Sequence, residues 1–156
     1  MKENFDAAFE AVMTIEGGLV NDPRDTGGLT KYGISQKAYP NLDIAGLTID
    51  EAKKIYRRDY WDKCRCDELP ASFDLLVFDT AINMGTPAAI GILQESVRQK
   101  VDGIIGEKTI AAAFAAGNDE LRRFFIYRLF KYSEKANYNY YKNGWRNRLL
   151  YVSGVI

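Results

Sequence analysis

No histidine occurs among the 156 residues of the chain. That absence removes Ser-His-Asp and Cys-His nucleophilic schemes, since each needs an imidazole as base, and it removes histidine-dependent zinc centres. The two cysteines stand as Cys64-Arg65-Cys66, a spacing sterically poor for a disulfide and too sparse for a zinc site. They read as free structural thiols, and no cofactor is expected. Charge of one sign is lacking as well. The 21 basic residues are balanced by 21 acidic ones, so there is no basic excess with which to grip a phosphate backbone, and nucleic acid is not an expected partner. No apolar run approaches a bilayer span, so membrane insertion is not expected either. The opening Met1-Lys2-Glu3-Asn4-Phe5-Asp6 has neither the basic start nor the apolar run of a secretory signal. The expectation is a chain synthesised in the cytoplasm that needs another agent to reach any outside substrate.

What is present fits a soluble globular domain: 47% hydrophobic and 27% charged residues, at a length that allows one domain with a real core. Phe5, Phe9, Val12 and Met13 fall at helical spacing and predict a first helix over about 3–16, ended by Gly17-Gly18. From Leu19 to Ile34 turn residues dominate, with short β-prone pieces between them, which predicts a small irregular β-hairpin. Thr48-Ile49-Asp50-Glu51 is a capping box for a helix ending near Trp61. Phe73, Leu76, Val77, Thr80, Ala81 and Met84 form the cleanest helical stripe, stopped by Gly85. Thr86-Pro87 restarts a helix that runs to about Gln99, and Glu107 to Ala116 a short one closed by Gly117. Asn118 caps a long helix with Leu121, Phe125, Arg128, Leu129 and Tyr132 on one side; Asn143-Gly144 breaks it, and a last short helix carries Trp145 to Val152. The fold class predicted is mainly α with a small β-hairpin after the first helix. It is read as one domain over 1–156, with one lobe over about 1–90 and a second over about 91–156.

Without histidine, carboxylates are the residues left for acid–base work, and Glu16 has an unusual place among them. It lies four residues after Val12 and seven after Phe9, on the apolar stripe of the first helix. Partial desolvation penalises a carboxylate's charged form and raises its pKa, as a general acid near neutral pH requires. The alternative is a helix-end glutamate turned to solvent. Asp25 follows across an eight-residue gap, with Thr30 beyond it, in a glycine-rich segment that can fold back over the helix end. Glycosidases need a second carboxylate or a positioned water on the far face of the sugar, and Asp25 with Thr30 can supply it. Both are also ordinary turn residues.

The segment Glu16-Gly17-Gly18-Leu19-Val20-Asn21-Asp22-Pro23, followed by Asp25, Gly27-Gly28, Thr30 and Gly33-Ile34, resembles the signature of glycoside hydrolase family 108. These are phage and bacterial N-acetylmuramidases, including proteins once called secretion activators. The likeness continues through Tyr60-Trp61, Phe78-Asp79-Thr80-Ala81-Ile82-Asn83-Met84-Gly85, Asp102-Gly103-Ile104-Ile105-Gly106 and Asn143-Gly144-Trp145-Arg146-Asn147-Arg148. The resemblance implies a lysozyme-like fold, a peptidoglycan glycan strand as partner, hydrolysis of the β-1,4 bond after N-acetylmuramic acid, and Glu16 as catalytic acid. It implies for the second lobe a peptidoglycan-binding character. The Glu, Asp, Thr order also resembles the phage-lysozyme triad, although there the threonine stands one residue further on than Thr30 does here.

Asn83, at the end of the cleanest helix, offers an amide for an acetamido group, or simply a helix cap. Arg148 is placed to pair with Glu16, as a late arginine does in phage lysozymes, which would oppose the desolvation effect. Trp145 and Tyr32 offer flat faces for sugar rings, or packing surface. Two rivals to a muramidase stay open: a non-catalytic wall-binding or secretion-accessory protein, and a lytic transglycosylase, which needs one glutamate and leaves anhydro-muramic ends. A chain of this kind acts in the periplasm or on the cell wall after release, by a holin-like route for an endolysin and a similar exit for a secretion-linked enzyme. With no long exposed apolar face in the pattern, a monomer is expected.

Overall fold

A computed structural model of the chain describes residues 2–16 and 28–155. Seven α-helices and one antiparallel hairpin occur among them: α1 (Lys2–Glu16), β1 (Thr30–Lys31), β2 (Ile34–Ser35), α2 (Ile49–Tyr56), α3 (Ala71–Met84), α4 (Thr86–Ser96), α5 (Glu107–Phe114), α6 (Asn118–Ser133) and α7 (Tyr138–Val155). The mainly α class with a small hairpin after the first helix is the one the sequence predicts. The hairpin pairs Thr30 with Ser35 and Lys31 with Ile34. Among the described residues no helix is long and apolar enough to cross a membrane.

Helix α3 is the axis of the molecule. Residues 73 to 81 are all buried, the pattern of a helix covered on every side, and α1, α4 and α6 pack around it. An aromatic cluster fills the space between α1, α2 and α3. Phe5 meets Trp61 at 5.2 Å and Phe78 at 5.8 Å, both edge-on, and Tyr56 meets Phe9 edge-on at 5.7 Å. Such tilted pairs set the negative ring face of one against the positive edge of another.

The local signals for α2 act as expected. Glu51 N–H donates to the Thr48 hydroxyl at 3.3 Å and Thr48 N–H to the Glu51 carboxylate at 2.8 Å. Beyond Tyr56 the helix widens into a π-helical turn over Arg57–Trp61, with Asp62 N–H reaching back to the Arg57 carbonyl at 2.9 Å. Cys64 and Cys66 are free and buried, as predicted. Gly85 ends α3 at φ 92 and also stands at the start of α4. Helix α4 stops at Ser96 rather than near Gln99, because Arg98 takes φ 57 and the buried Gln94 amide gathers the Asp102 and Gly103 N–H groups instead.

Two further boundaries differ from expectation. Gly117, not Asn118, caps α6, because the Glu120 carboxylate reaches back to the Gly117 N–H at 3.0 Å and no capping side chain is needed. The long helix breaks at residues 134–137 rather than at Asn143-Gly144, and α7 runs unbroken through that pair. Trp145 stacks flat on Tyr132 of α6 at 4.6 Å, and Arg148, Leu149 and Val152 are buried on the same face. A glycine inside a helix costs about 1 kcal/mol, which that packed face outweighs.

Candidate active site

Helix α1 ends at Glu16. Phe5, Phe9 and Val12 bury its apolar stripe, and Met13 and Ile15 are half-covered against the same cluster. The Glu16 side chain and all of Asp25 lie outside the described residues.

The hairpin carries the next two residues singled out by the sequence. Thr30 opens β1, half-buried, and its hydroxyl donates to the Gly28 carbonyl at 3.2 Å. With the proton spent there, the oxygen offers lone pairs to a water or a ligand. Tyr32 sits at the hairpin tip with φ 51, and Lys31 Nζ lies 5.6 Å from the centre of its ring. Its carbonyl accepts the Tyr56 hydroxyl at 2.8 Å, and the Tyr56 ring packs against Phe78 of α3 at 6.2 Å. The hairpin is thus tethered to the central helix through a phenol.

Asn83, Trp145 and Arg148 are brought together along the C-terminal half of α3, through residues on α6. Tyr132 is the hub: its hydroxyl donates to Asn83 Oδ1 at 2.7 Å and its ring stacks on Trp145. Arg128, one turn earlier on α6, donates Nε and one terminal N–H to the same phenol oxygen at 3.1 and 2.9 Å. Its other terminal nitrogen lies 2.6 Å from Asp79 Oδ2. Arg148 holds the second oxygen of that carboxylate, with Nε at 2.8 Å and a terminal nitrogen at 2.7 Å. Asp79 and Arg128 are fully buried and Arg148 nearly so. A buried charge is tolerated only when paired. Burial pushes the Tyr132 phenol above its ordinary pKa, so the hydroxyl keeps the proton it donates.

The expected pairing of Arg148 with Glu16 falls on a side chain outside the described residues; among the described carboxylates Arg148 holds Asp79. Sequence reasoning passed over Asp79 and over the polar roles of Arg128 and Tyr132. The signal was present: an aspartate inside an otherwise apolar helix and an arginine on a buried helical stripe are each costly alone, so together they imply a pair.

Between the segment that follows the hairpin, the π-helical turn and the α3–α4 junction, a cavity of about 460 Å³ is lined by Tyr39, Asp59, Tyr60, Lys63, Gly85 and Thr86, among others. Tyr39 donates its hydroxyl to Asp59 at 2.8 Å. The Arg58 guanidinium beside Asp59 holds that carboxyl down at about 2, so it is an anion at any ordinary pH. No group of residues able to hold a metal ion occurs among the described residues.

A family model described as glycosyl hydrolase 108 matches residues 9–85. Among solved structures the chain is similar to SagA of Brucella abortus, with 32% identity, 97% of this chain and 92% of that one covered, and a TM-score of 0.87. No curated protein matches.

Proposed function

From the premise that this chain belongs to the glycosyl hydrolase 108 family, we propose that it is a peptidoglycan N-acetylmuramidase with Glu16 as general acid. The reaction is hydrolysis of the β-1,4 bond between N-acetylmuramic acid and N-acetylglucosamine. One observation carries the reading: the matched segment includes Glu16 as the last residue of a helix whose apolar face is buried up to Val12. The place of Glu16 on the apolar stripe, four residues after Val12 in the sequence, implies partial desolvation of its carboxyl, which favours the protonated form that must be delivered to the leaving oxygen.

Asp25 and Thr30 then position water on the opposite face of the sugar, an arrangement that fits inversion. Tyr32 and Trp145 offer rings to the glycan and Asn83 its amide to an acetamido group, while Arg148 stays on the buried Asp79 beneath them. The site of action is the cell wall.

The test is turbidity loss of purified Gram-negative sacculi by wild type and Glu16→Gln, with product ends analysed. Lysis that yields reducing muramic ends and disappears in the variant is the expected result. Anhydro-muramic ends would instead mark a lytic transglycosylase. Lysis that survives the substitution would show that Glu16 is not the acid, and tight binding of wild type without lysis would mark a wall-binding protein.

A further inference from the structure

The hydrogen bonds around Tyr132 have a direction that geometry alone dictates. A guanidinium has donors and no acceptor, so both Arg128 contacts place N–H groups on the phenol oxygen. The phenol has one proton, and it must go to the remaining partner, Asn83, 2.7 Å away. The atom of Asn83 that faces Tyr132 is therefore its carbonyl oxygen. Side-chain amides are otherwise easily turned end for end; here donor counting removes the choice. The Nδ2 of Asn83 is left on the other side, with no hydrogen-bond partner among the described residues, on a side chain that is partly exposed. The Tyr132 that holds it lines, with Tyr138, Asn143 and Trp145, a cavity of about 220 Å³.

We propose that Arg128, held by its ion pair with Asp79, and Tyr132 form a one-way hydrogen-bond relay that locks the Asn83 amide with its N–H groups outward, making Asn83 a donor selective for a carbonyl oxygen on the sugar, that of an N-acetyl group. This rests on the muramidase reading for its ligand class and adds to it the origin of the selectivity. Asp79 fixes the Arg128 guanidinium through one nitrogen, leaving the opposite edge aimed at Tyr132. Arg128 blocks the phenol from accepting a bond from Asn83. The three are positioning residues, and Asn83 is the group that touches the sugar. A site built to donate two N–H groups discriminates against a ligand lacking the acceptor, because those groups are then desolvated without a partner.

The experiment is calorimetric or NMR titration of the full chain with tri-N-acetylchitotriose and with cellotriose, its neutral counterpart without a carbonyl. Wild type binds the acetylated trimer more tightly. Tyr132→Phe keeps the ring that stacks on Trp145 but frees the amide to turn, and the preference falls on the order of ten-fold. Asn83→Asp still accepts the Tyr132 proton but has no outward donor; it loses affinity for the acetylated trimer and keeps that for cellotriose. Equal binding of the two trimers by wild type, or a preference undiminished in a folded Tyr132→Phe, would overturn the relay. A merely structural role for Tyr132 would lower melting temperature without moving the ratio of the two affinities, and that result would overturn it too. Sacculus lysis is a separate readout: intact lysis without acetyl preference sinks the relay alone, whereas acetyl-selective binding without lysis sinks the muramidase reading alone.

Discussion

Replacing Asp79 by asparagine keeps the shape of the side chain and removes its charge. Arg128 is then fully buried with its cation facing two neutral groups, the new amide and the Tyr132 hydroxyl; no other carboxylate contacts it among the described residues. Removing one partner of a buried ion pair costs about 3–5 kcal/mol, because the remaining charge is left desolvated and uncompensated. Domains of this kind are stable by about 5–15 kcal/mol in all, so the loss is a large fraction of the total. At roughly 2–4 °C per kcal/mol for a chain of this size, the melting temperature should fall by about 10 °C. Urea unfolding followed by tryptophan emission suits the measurement, since Trp145 stacks on the Tyr132 that Arg128 holds. A second variant separates charge from shape. Adding Arg128→Met to Asp79→Asn removes one of the two buried cations that Asp79 compensates, Arg148 being the other, so the double variant should be more stable than the sum of the two single losses. A loss below about 1 kcal/mol in Asp79→Asn, or strict additivity in the double variant, would refute the reading of this triad as a charge-compensated unit.

Three further perturbations test other parts of the fold. Burial raises the Asp74 carboxyl from 3.8 to about 6; because the folded value exceeds the unfolded one, stability should decline as pH rises from about 4 to 6, by up to about 3 kcal/mol. Urea midpoints across that window should fall for wild type and change less for Asp74→Asn. Thr48→Ala removes the hydroxyl half of the capping box at α2 and should cost about 1 kcal/mol, with Glu51→Ala less than additive to it, both read by denaturant midpoint. Gly85→Ala meets no steric block, its nearest neighbour being Pro87 Cδ at 3.7 Å, yet φ 92 with ψ 151 is backbone that side-chain-bearing residues rarely adopt; the cost expected is about 1–3 kcal/mol from strain alone.

The parts of the fold legible in the sequence are those decided by neighbours along the chain. The Thr48–Glu51 box, the glycine stop after Met84 and the apolar stripe of α1 each fix their structure within a few residues. The Asn143-Gly144 break belongs to the same class of signal and led the wrong way, because a competing signal was stronger. Trp145, Arg148, Leu149 and Val152 recur at helical spacing, and all but the half-buried Trp145 are buried. That stripe was readable from the spacing alone. Weighed against a local glycine penalty of about 1 kcal/mol, it decides for a continuous helix and moves the break back to residues 134–137.

The candidate site divides along the same line. Thr30 and Tyr32 fall in the hairpin that turn chemistry predicts, and Asn83 falls at the helix end that Gly85 marks. The relay that orients Asn83 joins residues 49 apart, Asn83 and Tyr132, and the carboxylate that anchors it is 69 residues from Arg148, so no local pattern connects them. A different kind of inference was open. An ionisable residue on a buried stripe must find a counter-charge or be expelled, and Asp79 and Arg128 occupy such stripes on two different helices. Once both are placed in the core, pairing them requires α3 and α6 to lie side by side, as they do. The misfit residues in otherwise apolar helices therefore carried tertiary information that the apolar pattern itself did not: they specify which helices touch, and at which turn.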